Sequence, residues 1–282
     1  MKKFGLAMTA VLLAVSMTAC ASNPSDSGEQ KLRIGIIQPA EHAALDSARE
    51  GFVDALADHG YVDGETIEID YQNAQGDSSA LLTISQRFVG DDCDLVLAIG
   101  TGAAQSIASQ TSEIPVLITA VTDPVDAGLV QSNEAPGTNV TGTNDMNPIR
   151  EQMELIREFL PDVQTVGLLY SKSEDSSKKP IEEAKAFLDA SGISYVEKTG
   201  TSTDEVNSAV DALISAGVEA IFTPTDNTVM QAELSIFEKL NEAKIPHYTG
   251  ANSFALNGAF FGYGVDYDDL GAETADMVVD LL

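Results

Sequence analysis

Tryptophan is absent from this 282-residue chain, and basic residues are scarce in it. Its 15 lysines and arginines face 44 aspartates and glutamates, which gives a formal net charge of −29 at pH 7. A surface of that sign repels phosphate backbones and anionic lipid headgroups, so nucleic-acid binding and basic-patch docking to a membrane are excluded. Without tryptophan, a sugar-stacking platform would have to use tyrosine or phenylalanine, which weighs slightly against a sugar as ligand.

The sequence also lacks the motifs of the common catalytic and metal sites. It contains no G-x-S-x-G elbow, H-E-x-x-H pair, P-loop or C-x-x-C motif. Its three histidines, at positions 42, 59 and 247, have unrelated spacings and make a poor metal set. We therefore predict that the protein is not an enzyme and has no cofactor or metal. An exported enzyme is the alternative, which turnover of a ligand would reveal.

The N-terminal segment has the features of an export signal. Two lysines precede an apolar run over residues 4–17, which is too short to span a hydrocarbon core of about 30 Å. We predict a signal peptide over residues 1–19. The small residues before Cys20 resemble a bacterial lipobox, which would make Cys20 the lipidated start of a flexible tether over residues 20–30. The alternative is ordinary cleavage, with Cys20 a bystander. Cys93, the other cysteine, is predicted to be a small buried hydrophobe.

Short apolar runs alternate with amphipathic stretches from residue 32 onward. This alternation is typical of βαβ units and predicts an α/β fold with parallel sheets. One series precedes Ile149 and a second follows it, so we predict two doubly wound parallel-sheet lobes joined by a hinge. Lobe 1 is expected over residues 31–145 plus 254–282 and lobe 2 over residues 146–253. The turn-rich stretch 139–145 is the predicted hinge.

A small-residue segment, residues 100–105 (GTGAAQ), follows a strand and opens a helix. Gln105 stands where a dinucleotide fingerprint needs its third glycine, so that interpretation is weak. The first N–H groups of such a helix can nevertheless receive a carboxylate or another anion. Thr101 and Ala103 are the candidates for this role, and the alternative is a merely tight strand-to-helix turn.

Three acidic residues also follow strands, at the edge where parallel sheets bind ligands. Asp123 ends a strand of the first series, although it could simply initiate the turn at Pro124. Glu174 and Asp226 follow strands of the second series and should face the first lobe across the cleft. We predict that these acids receive a ligand ammonium group. Either acid of the second lobe could instead be a helix N-cap or a solvated loop carboxylate.

Three ring-bearing residues are candidates for the pocket wall. His42 lies in the first strand-to-helix loop and could wall the pocket or be an ordinary surface imidazole. Tyr263 and Phe254 are possible aromatic walls, although core packing is the commoner fate of such side chains.

Six segments together resemble one family, the ABC-transporter substrate-binding lipoproteins of the tryptophan/tyrosine-binding type. They are residues 34–38 with His42, 98–105, 120–125, 139–143, 224–227 and 263–267. The resemblance covers residues 31–282 and implies a type I periplasmic-binding fold. One departure is Ser176, which stands where the family pattern Glu-x-Asn-Ser would place an amide after Glu174. The family also continues with a helix and strand beyond Leu282. Because the last apolar helical pattern has no cap, we expect that the C-terminus is truncated.

The resemblance implies extracytoplasmic capture of a small ligand, with an aromatic or branched hydrophobic amino acid favoured. An ABC permease with its ATPase would receive the ligand from a monomeric protein. Lipid on Cys20 would be the only link to the membrane, at the outer face of the bacterial cytoplasmic membrane or in the periplasm. Gln38, Asn144 and Asn227 complete the predicted ligand-binding set. The alternatives are the same fold binding a sugar, nucleoside or other small organic molecule, and a lipid-anchored ligand sensor.

Overall fold

The computed structural model describes residues 31–281, which form two parallel five-stranded sheets with helices packed on them. The predicted signal peptide, the lipidation site Cys20 and the tether lie outside the described residues. The first sheet has the order β2-β1-β3-β4-β5. Its strands are β1 (Leu32–Gln38), β2 (Ile67–Asn73), β3 (Leu95–Ile99), β4 (Val116–Val121) and β5 (Val140–Asn144). The helices along this part of the chain are α1 (Ala43–Asp58), α2 (Ser78–Gly90) and α3 (Thr101–Ala108).

The second sheet has the order β10-β9-β8-β6-β7. Its strands are β6 (Thr165–Tyr170), β7 (Ser194–Thr199), β8 (Ala220–Thr223), β9 (His247–Thr249) and β10 (Phe261–Gly262). The intervening helices are α4 (Ile149–Phe159), α5 (Asp175–Ser191), α6 (Thr203–Ser215), α7 (Asn227–Ala243) and α8 (Asn252–Leu256), and α9 (Tyr267–Leu281) follows β10. The predicted fold class, two doubly wound parallel-sheet lobes, is confirmed.

Apolar composition explains which strands are central. Every residue of β3 and β4 is buried, because helices cover both faces of a parallel sheet. The outer strands β2 and β7 are only partly buried, and β2 alternates in polarity. Cys93, just before β3, is a buried free thiol, as predicted. Among the helices described, none combines the length and the apolar character that a membrane crossing requires.

The stretch predicted as the hinge is mostly a strand. Residues 140–144 form β5 and pair with β4, so the chain leaves the first sheet only at Asp145. Gly142 makes this pairing possible, because a Cβ there would lie 2.1 Å from the carbonyl oxygen of Ile118. The turn-forming composition of the segment therefore reflects close packing against β4 and not a flexible link.

The return of the chain to lobe 1 comes later than residue 254. Helix α8 packs on the second sheet, and β10 pairs with β9. Only α9 crosses back, where it packs along α1. The other predicted lobe boundaries stay predictions.

Within residues 31–281, two crossovers, residues 145–148 and 263–266, thus connect the lobes. They lie against each other, because a Cβ at Gly264 would be 2.6 Å from Oδ1 of Asn147. The side-chain amide of Gln152 donates to the carbonyl of Tyr263 at 2.5 Å. Within the first crossover, the amide of Asn147 donates to the carbonyl of Asp145 at 3.0 Å.

The packing of α9 on α1 predicts that Gly271→Ala destabilises the protein. A Cβ at Gly271 would lie 2.1 Å from the carbonyl oxygen of Ala48 in α1, so one helix must move. We expect urea unfolding to show a loss of about 1–3 kcal/mol, which is typical of overpacking. Gly90→Ala is the matched control, because a Cβ at Gly90 meets nothing within 4 Å. Equal stability of the two variants would contradict this packing.

Candidate functional site

A small cavity of about 20 Å³ lies between the lobes at the carboxyl ends of the strands. Both lobes contribute to its wall: His42, Ala44, Leu45, Thr101, Ala120, Thr122, Asp145 and Tyr267 on one side, and Ser176, Thr225, Asp226, Asn227, Met230, Ala251, Ser253 and Phe254 on the other. A second cavity of about 160 Å³ adjoins it and shares Thr101, Ser176 and Asn227. Six predicted residues line one or both of these cavities: His42, Thr101, Glu174, Asp226, Asn227 and Phe254.

A tight turn at Gly100 places the N-terminus of α3 next to the cavity. Gly100 ends the β3 strand at φ +86° and ψ 152°, a region essentially reserved for glycine. Thr101, the first helical residue, is 5% exposed, and its hydroxyl has no hydrogen-bond partner among the described residues. Ala103 lies in the core of the first lobe and does not line either cavity.

Ala120 is a cavity residue that sequence reasoning missed. It has φ +54° within β4, where the register with β5 shifts between Ile118 and Val121. Strained backbone of this kind is concentrated at ligand sites. Two residues later, the hydroxyl of Thr122 contacts the hydroxyl of Thr225 on lobe 2 at 3.4 Å. Because an alanine carries no turn signal, the sequence gives no warning of this bend.

His42 contacts the opposite lobe and presents an acceptor to the cavity. The amide nitrogen of Asn227 donates to Glu174 at 2.7 Å, so its amide oxygen accepts from Nε2–H of His42 at 2.9 Å. Burial lowers the pKa of His42, which favours the neutral ring. In this tautomer Nδ1 is unprotonated, and it is buried without a partner.

The carboxylate of Glu174 accepts hydrogen bonds from the N-terminus of α7. Its carboxylate accepts from the backbone N–H groups of Asn227 and Thr228 at 3.0 and 2.7 Å. It also accepts from the side chains of the same two residues at 2.7 and 2.6 Å. Glu174 therefore holds a helix of its own lobe in place.

Asp226 is the N-cap of α7 and is 1% exposed. It accepts from the N–H of Val229 at 2.9 Å, the N–H of Ser171 at 2.7 Å and the hydroxyl of Ser177 at 2.6 Å. Burial, with the nearby charge of Glu174, raises the pKa of Asp226 to about 7. Asp226 is therefore a helix N-cap, as the alternative interpretation of the sequence stated. It also lines the cavity.

Asp123 initiates a turn and also bridges the lobes. It accepts from the N–H groups of Val125 and Asp126 at 3.1 and 3.0 Å. Its other oxygen forms an ion pair with Lys179 of α5 on lobe 2. The positive charge next to Asp123 is therefore supplied by the protein itself.

Three further predicted residues do not reach the wall of either cavity. Gln38 is buried at the end of β1, where its amide donates to the carbonyl of Ala40 and to Asp46. Asn144 is exposed and caps the N–H of Met146 at 3.3 Å. Tyr263 is 44% exposed, and its backbone carbonyl accepts from Gln152.

Asp145 is the main site residue that sequence reasoning missed. It is 2% exposed and accepts from the hydroxyl of Tyr267 at 2.6 Å, while Oδ1 has no partner among the described residues. Burial raises its pKa. The signal was its position directly after a strand, at the same sheet edge as Thr101, which the turn-rich composition around it obscured.

Both lobes supply the apolar part of the wall. Met230, Ala251 and Phe254 of lobe 2 are buried, as are Ala44, Leu45 and Ala120 of lobe 1. The cavity thus combines an apolar wall with a few polar groups, as small-molecule sites do.

Comparison with known proteins identifies relatives over nearly the whole chain. A family model described as "ABC transporter substrate binding protein" matches residues 33–282. A curated relative, the "Tyrosine-binding protein" of Clostridioides difficile (strain R20291), is 37% identical over 292 residues, covering 100% of this chain and 84% of that protein.

Two solved structures are informative about the lobe arrangement. The ABC domain in complex with L-Trp from Streptococcus pneumonia is 39% identical, with TM-score 0.85, over 89% of this chain and 84% of that one. The ligand-free, open structure of a substrate binding protein with adhesive properties from Clostridium difficile is 40% identical, with TM-score 0.65, over 88% and 84%. At nearly the same sequence identity, this chain superposes better on the L-Trp complex than on the ligand-free, open structure.

The buried cap predicts a pH-dependent effect of Asp226→Asn. Because the folded pKa of about 7 lies above the ordinary 3.8, the stabilising contribution of Asp226 is largest at low pH. It declines as the pH rises from about 4 to about 7. Asparagine does not titrate, so the free-energy difference between wild type and variant should be larger at pH 5 than at pH 8. Urea unfolding at both pH values measures it.

Asp77→Asn is the control for this effect. Asp77 caps α2 through the N–H of Ser79 at 2.7 Å, and this hydrogen bond lowers its pKa. Asp77 is therefore ionised in both states between pH 5 and pH 8, and its free-energy difference should stay constant. A difference for Asp226→Asn that is equally constant would show that its pKa is not raised.

Proposed function

The chain belongs to the family of ABC transporter substrate-binding proteins, and we propose that it captures an aromatic amino acid between its two lobes. One observation carries the proposal. Three residues of the interlobe cavity have a buried polar atom without a partner among the described residues: Thr101 Oγ1, His42 Nδ1 and Asp145 Oδ1. Buried polar groups are nearly always satisfied, so these atoms are suited to a polar ligand. The relatives named for tyrosine and L-Trp support an amino acid as that ligand.

The ligand carboxylate would bind at the N-terminus of α3. The first N–H groups of a helix have no intrahelical partner, and the helix dipole favours an anion there. The hydroxyl of Thr101 adds a donor at the same place. These groups are fixed by the turn at Gly100, so little ordering is needed on binding.

The aromatic side chain would pack on the apolar wall. Phe254 offers a ring face or edge, and Met230 offers a polarisable sulfur that contacts aromatic rings favourably.

Contacts between the lobes would stabilise the closed form that a permease recognises. Lys179 pairs with Asp123, and Gln105 donates to Asp175 at 3.0 Å. Rotation of the lobes about the two crossovers would break these contacts and open the cavity.

Export and anchoring complete the proposal. After removal of residues 1–19, lipid on Cys20 would hold a monomeric body outside the cytoplasmic membrane. Its negative charge would keep it off the anionic bilayer surface, available to the permease and its ATPase.

Calorimetric titration of residues 20–282 with the twenty amino acids tests the ligand class. We expect heat of binding with tryptophan, tyrosine or phenylalanine, and a dissociation constant about tenfold to a hundredfold larger in Thr101→Val. That loss is the usual contribution of a hydrogen bond to a charged group, about 1.5–3 kcal/mol.

Thr203→Val is the control for this titration, because Thr203 also begins a helix but is exposed on lobe 2. It should bind like wild type. Absence of binding by any amino acid would refute the proposed function, and unchanged affinity in Thr101→Val would remove Thr101 from the site.

The anchor is tested separately by labelling expressing cells with radioactive palmitate. The full-length chain should take up label, and Cys20→Ser should lose it and be released from the membrane fraction. Cys93→Ala should remain labelled, since Cys93 is buried in the folded body. Label retained in Cys20→Ser would rule out Cys20 as the acceptor.

A further inference from the structure

We propose that the carboxylate of Asp145, held by the hydroxyl of Tyr267, is the receptor for the ligand's ammonium group. This inference rests on the proposed function, and it replaces the acids that the sequence pattern singles out for the same role. It makes the protein selective for α-amino acids over aromatic acids that lack the amino group.

The state of Asp145 is the first reason. One oxygen, Oδ2, accepts from Tyr267 at 2.6 Å, whereas Oδ1 is buried and has no partner among the described residues. A buried carboxylate oxygen without a donor is costly, and an ammonium group offsets that cost with an N⁺–H donor and an opposite charge. Burial raises the pKa of Asp145, which is the sign of that desolvation, although the hydroxyls of Tyr267 and Thr122 lower it. The Thr122 hydroxyl lies near the carboxyl group without forming a hydrogen bond to Oδ1.

The second reason is that the other candidate acids already have partners within the protein. Asp226 accepts three hydrogen bonds from its own lobe. Glu174 accepts from the backbone and side chains of Asn227 and Thr228. Asp123 is paired with Lys179. Among the acids that line these cavities in residues 31–281, Asp145 is the buried one with an unpartnered oxygen.

The neighbouring groups fit the same assignment. His42 Nδ1 lines the same cavity and can accept a second N–H of the ammonium, because the contact with Asn227 makes it the unprotonated nitrogen. Thr101 and the N-terminus of α3 suit the opposite charge. The cavity therefore has separate partners for the two ends of a zwitterion.

Asp145 and Tyr267 lie next to the crossovers between the lobes, so the charge of a bound ligand acts there. Asp145 is the first residue after β5, and Tyr267 is the first residue of α9. Asp145 begins one crossover and Tyr267 directly follows the other, so an ammonium bound to this pair lies where both connections meet lobe 1. Ligands without the amino group would leave this junction with a buried unpaired charge.

The test compares each amino acid with the analogue that lacks only its amino group, by calorimetry on the full chain. The probes are L-tryptophan with indole-3-propionate, and L-tyrosine with 3-(4-hydroxyphenyl)propionate. Wild type should prefer the amino acid, and Asp145→Asn should reduce that preference by about 30-fold or more, the usual effect of breaking one buried charge pair. Tyr267→Phe should reduce it less. Since both probes meet the same protein, partial misfolding cannot produce a change in their ratio.

Asp211→Asn is the matched control and should keep the wild-type preference, because Asp211 is an exposed acid of lobe 2 that pairs with Lys239 and lines neither cavity. Wild type that binds an amino acid and its analogue equally would overturn the inference, whether or not any variant folds. Full preference retained in Asp145→Asn would also overturn it. Failure of every amino acid to bind wild type would instead refute the proposed function itself.

Discussion

Closing two acidic lobes over a small cavity removes water from several carboxylates at once, and each of them must then find a donor. Most of the interlobe region can be understood from this requirement. Glu174 and Asp226 are satisfied by the start of α7 and by the loop after β6, so the two acids hold lobe 2 rigid. Asp123 is satisfied by Lys179 across the cleft, and that pair holds the lobes together. What remains is a cavity whose few unsatisfied atoms are available to a ligand.

The fold was predictable because it follows from periodicity, which a single sequence displays. Apolar runs separated by amphipathic helices determine parallel sheets, and parallel sheets determine the edge where the candidate residues meet. Thr101, His42 and Asp226 reached the cavity for that reason. The partners of the acids could not be predicted, since an acid directly after a strand can serve either as a helix N-cap or as a ligand contact. For Glu174, only the three-dimensional position of α7 shows that it binds a helix N-terminus.

Other differences arose from close packing, which composition does not reveal. The glycine, asparagine and threonine of residues 139–145 predict a hinge, yet Gly142 is needed for close contact with Ile118. Ala120 bends β4 at positive φ without any glycine to signal it. The location of Tyr267 depends on α9 lying along α1, where Gly51 and Gly271 allow the two backbones to approach. A helix contact away from the cavity therefore fixes the hydroxyl that holds Asp145.

The net charge of −29 excludes some partners without identifying the ligand, and the cavity explains why. At physiological ionic strength, exposed charges are screened within about 8 Å, so most surface carboxylates have little influence inside a closed cleft. A zwitterion also has no net charge to be attracted or repelled. It does have two charged ends that lose water together, and each needs its own partner at a fixed separation. Selectivity must therefore come from a donor group at α3 and an acceptor at Asp145, which a protein of any net charge could contain.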